Sequence, residues 1–263
     1  MKTHSMATRI GALVVAGGLV LGFGSAALAA GSPTSTVTPG APRAVKTLDT
    51  LKQACEGAID RRLTSLGELQ GTVSNNTYLT AGHKATLLGE ITAENEGLAA
   101  LRVKIAGDTD RATLVADCKS IVEHYRVYLL MLPKAHLMIA SDASVTIGQK
   151  LTDLATKLQA AIDKAKGAGK DVGDAQRDLN NLKAATSAGV GAAAPVPTLL
   201  NFALPLNPSD FEADEQNVKT ARTDMGTAHT NFVQARSDAR QVIADLKALK
   251  TPKPVTPTAT ASS

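Results

Sequence analysis

Between residues 218 and 249 the apolar side chains recur in alternating steps of three and four: Val218, Ala221, Met225, Ala228, Phe232, Ala235, Ala239, Val242, Leu246 and Leu249. Only an α-helix gathers such positions on one face, because a strand repeats every second residue. The heptad is also visible as internal likeness among TARTDMG, TAHTNFV and QARSDAR. Ser209-Asp210-Phe211-Glu212 ahead of it predicts a capping box, so the helix is expected over 209–249 with a length of about 60 Å. A seam this long needs partner helices to cover it, and its alternating alanines let them come close.

The rest of the chain supplies such partners. From Lys46 the seam Leu48, Leu51, Cys55, Ile59, Leu63, Leu66, Leu69, Val73 predicts a first helix that ends at Ser74-Asn75-Asn76. A second is expected over 81–106, with Leu87, Ile91, Leu98, Leu101 and Ile105 on one face. Gly107 reads as its C-cap, and Asp108-Thr109-Asp110 as the start of a third helix with seam Leu114, Cys118, Ile121, Tyr125, Tyr128 and Leu132. Short connections make neighbours antiparallel, so the first and third helices run parallel. Counted through the second helix, Cys55 and Cys118 then lie at heights differing by about 1.5 Å, both on the seam. A Cys55–Cys118 disulfide is the expected pairing, two buried thiols being the alternative.

Pro133 lacks an N–H and its ring disturbs the turn back to Leu129, so the chain is expected to kink or stop there. The seam changes phase at the same place, continuing as Leu137, Ala140, Ser144, Ile147, Leu151, Leu154, Leu158, Ala161 and Ala165. GAGKDVG at 167–173 marks a turn, and Val172, Ala175, Leu179 and Leu182 mark a shorter fifth helix. Residues 187–208, with four prolines, read as a long loop. Its apolar centre, Leu199, Leu200, Phe202, Leu204 and Leu206, either packs across the bundle or forms an interaction loop. The last helix pairs with the fourth: connectivity predicts parallel, whereas Lys150, Lys157 and Lys164 would match Asp224, Asp238 and Asp245 in an antiparallel pair.

The ends carry the address. Lys2 and Arg9, an apolar run of about 14 residues and Ala27-Leu28-Ala29 read as a signal peptide over 1–29, too short for a membrane anchor. Residues 30–43 and 251–263 are Ser/Thr/Pro-rich and are expected to be disordered, as solvated ends or as a glycosylated stalk. No transmembrane segment is expected after signal cleavage, and the chain is expected to be secreted or cell-wall associated. Without Lys2 and Arg9, 26 basic residues face 24 acidic ones, and there is no tryptophan. Such a balance does not point to nucleic acid.

No catalytic constellation is legible. His83, His124, His136 and His229 lack the spacing of metal ligands, and no Gly-x-Ser-x-Gly elbow occurs. His124, Asp142 and a serine can be drawn as a triad, as in almost any chain of this length. Gly189-Val190-Gly191 follows a helix and lacks the Lys-Ser/Thr of a phosphate loop. His124, Tyr125, Tyr128 and His136, with Arg126 and Lys134, form the one conceivable pocket. No metal or cofactor is expected.

YRVYLLMLPKAHL, the spacer Ala106-Gly107-Asp108-Thr109-Asp110 and the alanine heptads resemble secreted all-helical proteins of unknown function from Gram-positive bacteria. The resemblance implies a helical bundle and carries no activity or site residues. The reading is therefore an all-α, elongated antiparallel helical bundle or coiled coil. It has a three-helix section over 44–132 and a second section over 133–250, joined at a Pro133 break. Its expected role is that of an exported, non-enzymatic envelope or extracellular module with a protein or cell-wall partner. The alternatives are a small-ligand carrier or enzyme with its pocket near Tyr125, and an oligomeric coiled-coil scaffold.

Overall fold

The computed structural model describes residues 47–205 and 207–249. The signal peptide, the 30–43 linker, Leu206 and the 251–263 tail expected from the sequence lie outside the described residues. The protein is an all-α bundle in which five long helices pack together: α1 (Leu48–Asn75), α2 (Ala81–Gly107), α4 (Leu132–Gly167), α5 (Gly173–Ala193) and α7 (Phe211–Ala248). Two shorter ones, α3 (Arg111–Glu123) and α6 (Val196–Leu199), complete it.

The first section follows its seams. Thr47 caps α1 by accepting the amide of Thr50, and Cys55, Ile59, Leu66, Leu69 and Val73 are buried along it. Asn76 then turns the chain, its Oδ1 accepting the amides of Tyr78 and Leu79 at 2.9 Å, and Thr80 caps α2. Gly107 stays inside α2 and does not form the left-handed cap expected of it. Asp110 caps α3 as expected, accepting from the Thr113 amide at 2.9 Å. Antiparallel α1 and α2 with α3 returning alongside α1 bring Cys55 and Cys118 to disulfide distance, with their Cα atoms 5.6 Å apart.

The break expected at Pro133 begins earlier. α3 stops at Glu123, Arg126 leaves the helical region with ψ 48°, and Val127–Met131 forms a π-helical turn. Within that turn the Arg126 carbonyl is approached by the amides of Leu129, Leu130 and Met131, and the Leu132 amide reaches back to Val127. Pro133 thus falls in the first turn of α4, where a missing N–H costs no helical bond. The π turn inserts a residue and rotates the seam after Tyr125, which still packs against the core, so Val127, Leu130 and Met131 are buried and the expected Tyr128 is exposed.

In the second section, α4 ends in a Schellman motif with Gly169 at φ 73°. The Gly169 amide bonds Lys166 O, and that of Lys170 bonds Ala165 O. The helix that follows is longer than expected. α5 runs to Ala193 and α6 occupies 196–199, so the loop expected over 187–208 shrinks to the residues after α6. Gly189 belongs in α5 because the Phe232 ring of α7 occupies the space of its side chain: a Cβ there would lie 2.9 Å from the ring. The seam of α7 is buried from Val218 to Val242, but the capping box does not form, since Asp210 caps without a side-chain bond and Ser209 turns to Asp210.

α4 and α7 run parallel, with α5 antiparallel between them. Asp214 near the start of α7 lies in the field of Lys134 near the start of α4, and Phe232 lies near Gly148 further along both. The antiparallel lysine–aspartate match is therefore not adopted. The two sections meet along the first half of α4, where Lys134, Ala135, Leu137, Met138 and the run from Ala140 to Ser144 are all buried. The α1–α2 turn docks there, its Thr80 amide donating to Asp142 Oδ2 at 2.8 Å. Among the described residues, no helix is long and apolar enough to cross a membrane.

Candidate functional site

Glu94 occupies a seam position of α2, between Ile91 and Leu98, so the same helical period that buries those two residues buries its carboxylate. Its side chain is fully buried, and neither oxygen has a hydrogen-bond partner. Burial, with Glu90 one turn away adding like charge, raises its carboxyl to about 7, against a smaller opposing pull from Arg62. A carboxyl so placed is a neutral acid in mildly acidic solution and gives up its proton near neutrality.

Lys134 of α4 is only 1% exposed. Its Nζ donates to Glu90 Oε1 at 2.7 Å and to the carbonyl of Phe202, whose ring centroid is 4.6 Å away. Burial lowers the lysine and raises Glu90, in both cases against the pull of the partner. Desolvation thus outweighs the attraction within the pair. Asp214 of α7 faces the same ammonium and is itself raised by burial. Arg62 of α1 completes the cluster. Its Nη1 donates to Ala58 O, its guanidinium lies 5.3 Å from the Tyr128 ring centroid, and its Nε is buried without a partner. The cluster joins α1, α2, the 124–131 segment, α4, the loop after α6, and α7.

Of the four residues expected to form a pocket, the two tyrosines reach this cluster and the two histidines do not. His124 and His136 are exposed. Tyr125 presses its ring against Gly97 of α2, and burial raises its hydroxyl above the usual tyrosine value. Tyr128, 44% exposed, lies over Arg62 and meets Ser65 Oγ at 3.4 Å. Asp142 is paired with His83, whose Nδ1 donates at 2.9 Å, and not with His124. The interaction loop is largely packed. Leu200 and Leu204 are buried and Leu199 and Phe202 partly so, because the carbonyl and ring of Phe202 are tied to Lys134. A cleft of about 530 Å³ does exist, but it lies between α4 and α5, lined by Thr152, Ala155, Thr156, Lys183, Thr186 and Val190. Among the described residues, no group of three or more His, Cys, Asp or Glu side chains could hold a metal.

Arg62, Glu90, Glu94 and Asp214 were not legible as a set, although two of them carried a signal. Glu94 and Asp214 each sit where the three-four spacing calls for an apolar residue, Asp214 four before Val218.

The fit of Tyr125 on Gly97 gives a sharp test. A Cβ at Gly97 would lie 2.5 Å from the Tyr125 hydroxyl and 2.6 Å from its ring, whereas one at Gly89 of the same helix meets open space. Gly89→Ala is expected to raise stability by up to about 1 kcal/mol through helix propensity. Gly97→Ala is expected to lower it by about 1 kcal/mol, the overpacking exceeding the same gain. Urea midpoints moving in opposite directions would support the fit, and a parallel rise would refute it.

No family model, curated protein or solved structure matches this chain.

Proposed function

We propose that the protein is an exported, non-enzymatic helical module that works in the cell envelope or outside the cell, presenting helix faces to a protein or wall-polymer partner. The pairing of Cys55 with Cys118 carries this reading. Two thiols 63 residues apart, held at disulfide distance across adjacent helices, fit a compartment that oxidises them. Residues 1–29 read as the signal that directs a chain there. Apolar side chains on outer faces supply contact area: Val103 is 74% exposed, and Val115 and Val122 stand a heptad apart on α3. The polar cluster acts within this reading as a joint, since its reactive atoms are engaged or enclosed.

The test is to express the full chain in the organism that makes it, and to recover it from medium, wall and cytoplasm. The expected result is a mature N-terminus at Ala30, both cysteines unreactive to thiol reagents, and one specific protein or polymer co-purifying from the envelope. A cytoplasmic chain with its N-terminal segment intact and two titratable thiols overturns the reading. The cleft between α4 and α5 favours a second reading, a carrier of a small hydroxyl-bonding ligand. That reading requires a bound small molecule to be released on denaturing the recovered protein.

A further inference from the structure

We propose that the joint between the two helical sections is a proton-operated latch centred on Glu94, closed when that carboxyl is protonated and loosened when it is ionised. The geometry comes first. Glu94 is fully enclosed, and the buried polar atoms around it, Arg62 Nε and Glu90 Oε2, are likewise without partners. A neutral carboxylic acid is tolerated in such a place, whereas a carboxylate without hydrogen bonds is not.

Every element around the site contributes a charged or titratable group. α1 presents Arg62, with Arg61 beside it. α2 presents Glu90. The 124–131 segment presents Tyr125 and Tyr128. α4 presents Lys134, and α7 presents Asp214 with Asp210 behind it. Lys134 is already bonded to Glu90 and Phe202, and the attraction of Arg62, whose Nη1 is held by Ala58 O, is smaller than the opposing effects of burial and Glu90, so neither cation offsets the ionisation of Glu94 in place.

The sign follows from linkage. An acid raised from 4.5 to about 7 stabilises the closed joint fully below its ordinary value and loses that contribution as pH climbs through about 7. The shift corresponds to a change of roughly 300-fold in the closing equilibrium. The element that yields is the 124–131 segment. The Cys55–Cys118 link ties α1 to α3, and the long seam ties α7 to its neighbours, whereas this stretch, although it buries Val127, Leu130 and Met131 and stacks Arg126 on Phe211, departs from α-helical bonding and meets the Glu94 site through Tyr125 and, by way of Arg62, through Tyr128.

Amide hydrogen exchange on the full chain, converted to protection factors and followed from pH 5 to pH 9, tests the latch. Protection across 124–131 is expected to fall by roughly 80-fold, the part of the full change that lies above pH 5, and to level off once pH passes about 7, while α5 and α7 keep theirs. In Glu94→Gln the same segment is expected to stay protected throughout. Constant protection in the native chain, an equal fall in every helix, or an unchanged fall in the variant each overturns the proposal. Should the variant not fold, the carboxyl carbon resonance of Glu94 in the native chain decides. Titration near the pH at which protection levels off supports the latch, and titration below pH 5 sinks it.

Discussion

Replacing both cysteines, Cys55→Ser with Cys118→Ser, is expected to lower the unfolding free energy by about 4 kcal/mol, the chain-entropy value for a loop of this length. The link closes 63 residues, most of the first section from α1 through α2 into α3. Without it the denatured chain gains the freedom that the closed loop denies, while the folded section keeps its seams. Cys55 is 7% exposed, so a serine there also brings a hydroxyl into an apolar contact and adds to the loss. Urea denaturation should show a lower midpoint and a steeper slope, because the unlinked denatured state exposes more surface. Reduced native protein should fall within about 1 kcal/mol of the double variant, and its intact mass should rise by two hydrogens on reduction. An unchanged midpoint, or no change in mass, would mean that the pair is not bonded in solution.

That link was legible because it depends only on lengths. A helix of known span and two short turns fix relative heights, and both cysteines lie in helices whose seams are regular. The α7 seam was legible for the same reason: period alone decides which face is buried, and Val218 to Val242 followed it without exception. Pro133 shows where local rules stop. A proline dictates that the preceding turn cannot be an ordinary helical interior, but it is silent on how far back the chain must adjust. The π turn spread that adjustment over 127–131 and moved Tyr128 off the core face, while Tyr125, ahead of the turn, kept its place against Gly97.

The end of α5 failed differently. The loop over 187–208 was expected from its four prolines, yet the first of them, Pro195, lies beyond α5, while Gly189 and Gly191, weak helix formers, stand inside it. The compensation, a Phe232 ring lying where a Gly189 side chain would be, comes from another helix and leaves no trace in the local pattern. The polar cluster combines both cases. Glu94 interrupts a regular seam and can be seen to do so, but the lysine that answers its neighbour Glu90 lies 44 residues along the chain. Pairing of that kind is set by tertiary packing, not by spacing.

Lys134 is where the second large effect is expected. Lys134→Met at pH 7 should cost about 3–5 kcal/mol, the range for removing one partner of a buried ion pair. The loss comes from what is left behind. Glu90 Oε1 and the Phe202 carbonyl lose their donor, and Asp214 loses the nearby cation. Because burial pushes Lys134 down and Glu90 up even while they are paired, the pair itself adds little over apolar groups of the same size. The double variant Lys134→Met, Glu90→Leu is therefore expected to return to within about 2 kcal/mol of the native protein, a coupling that a double-mutant cycle reads directly. The single variant should also depend on pH. With the ammonium gone, nothing offsets the burial of Glu90, and its carboxyl rises further. An acid raised in the folded state keeps its stability below its unfolded value and loses it as pH climbs through the folded one. The deficit should accordingly be small near pH 4.5 and largest by pH 8. A single variant as stable as the native chain at pH 8, or a double variant no better than the single, would show that Lys134 does not hold the joint through this pair.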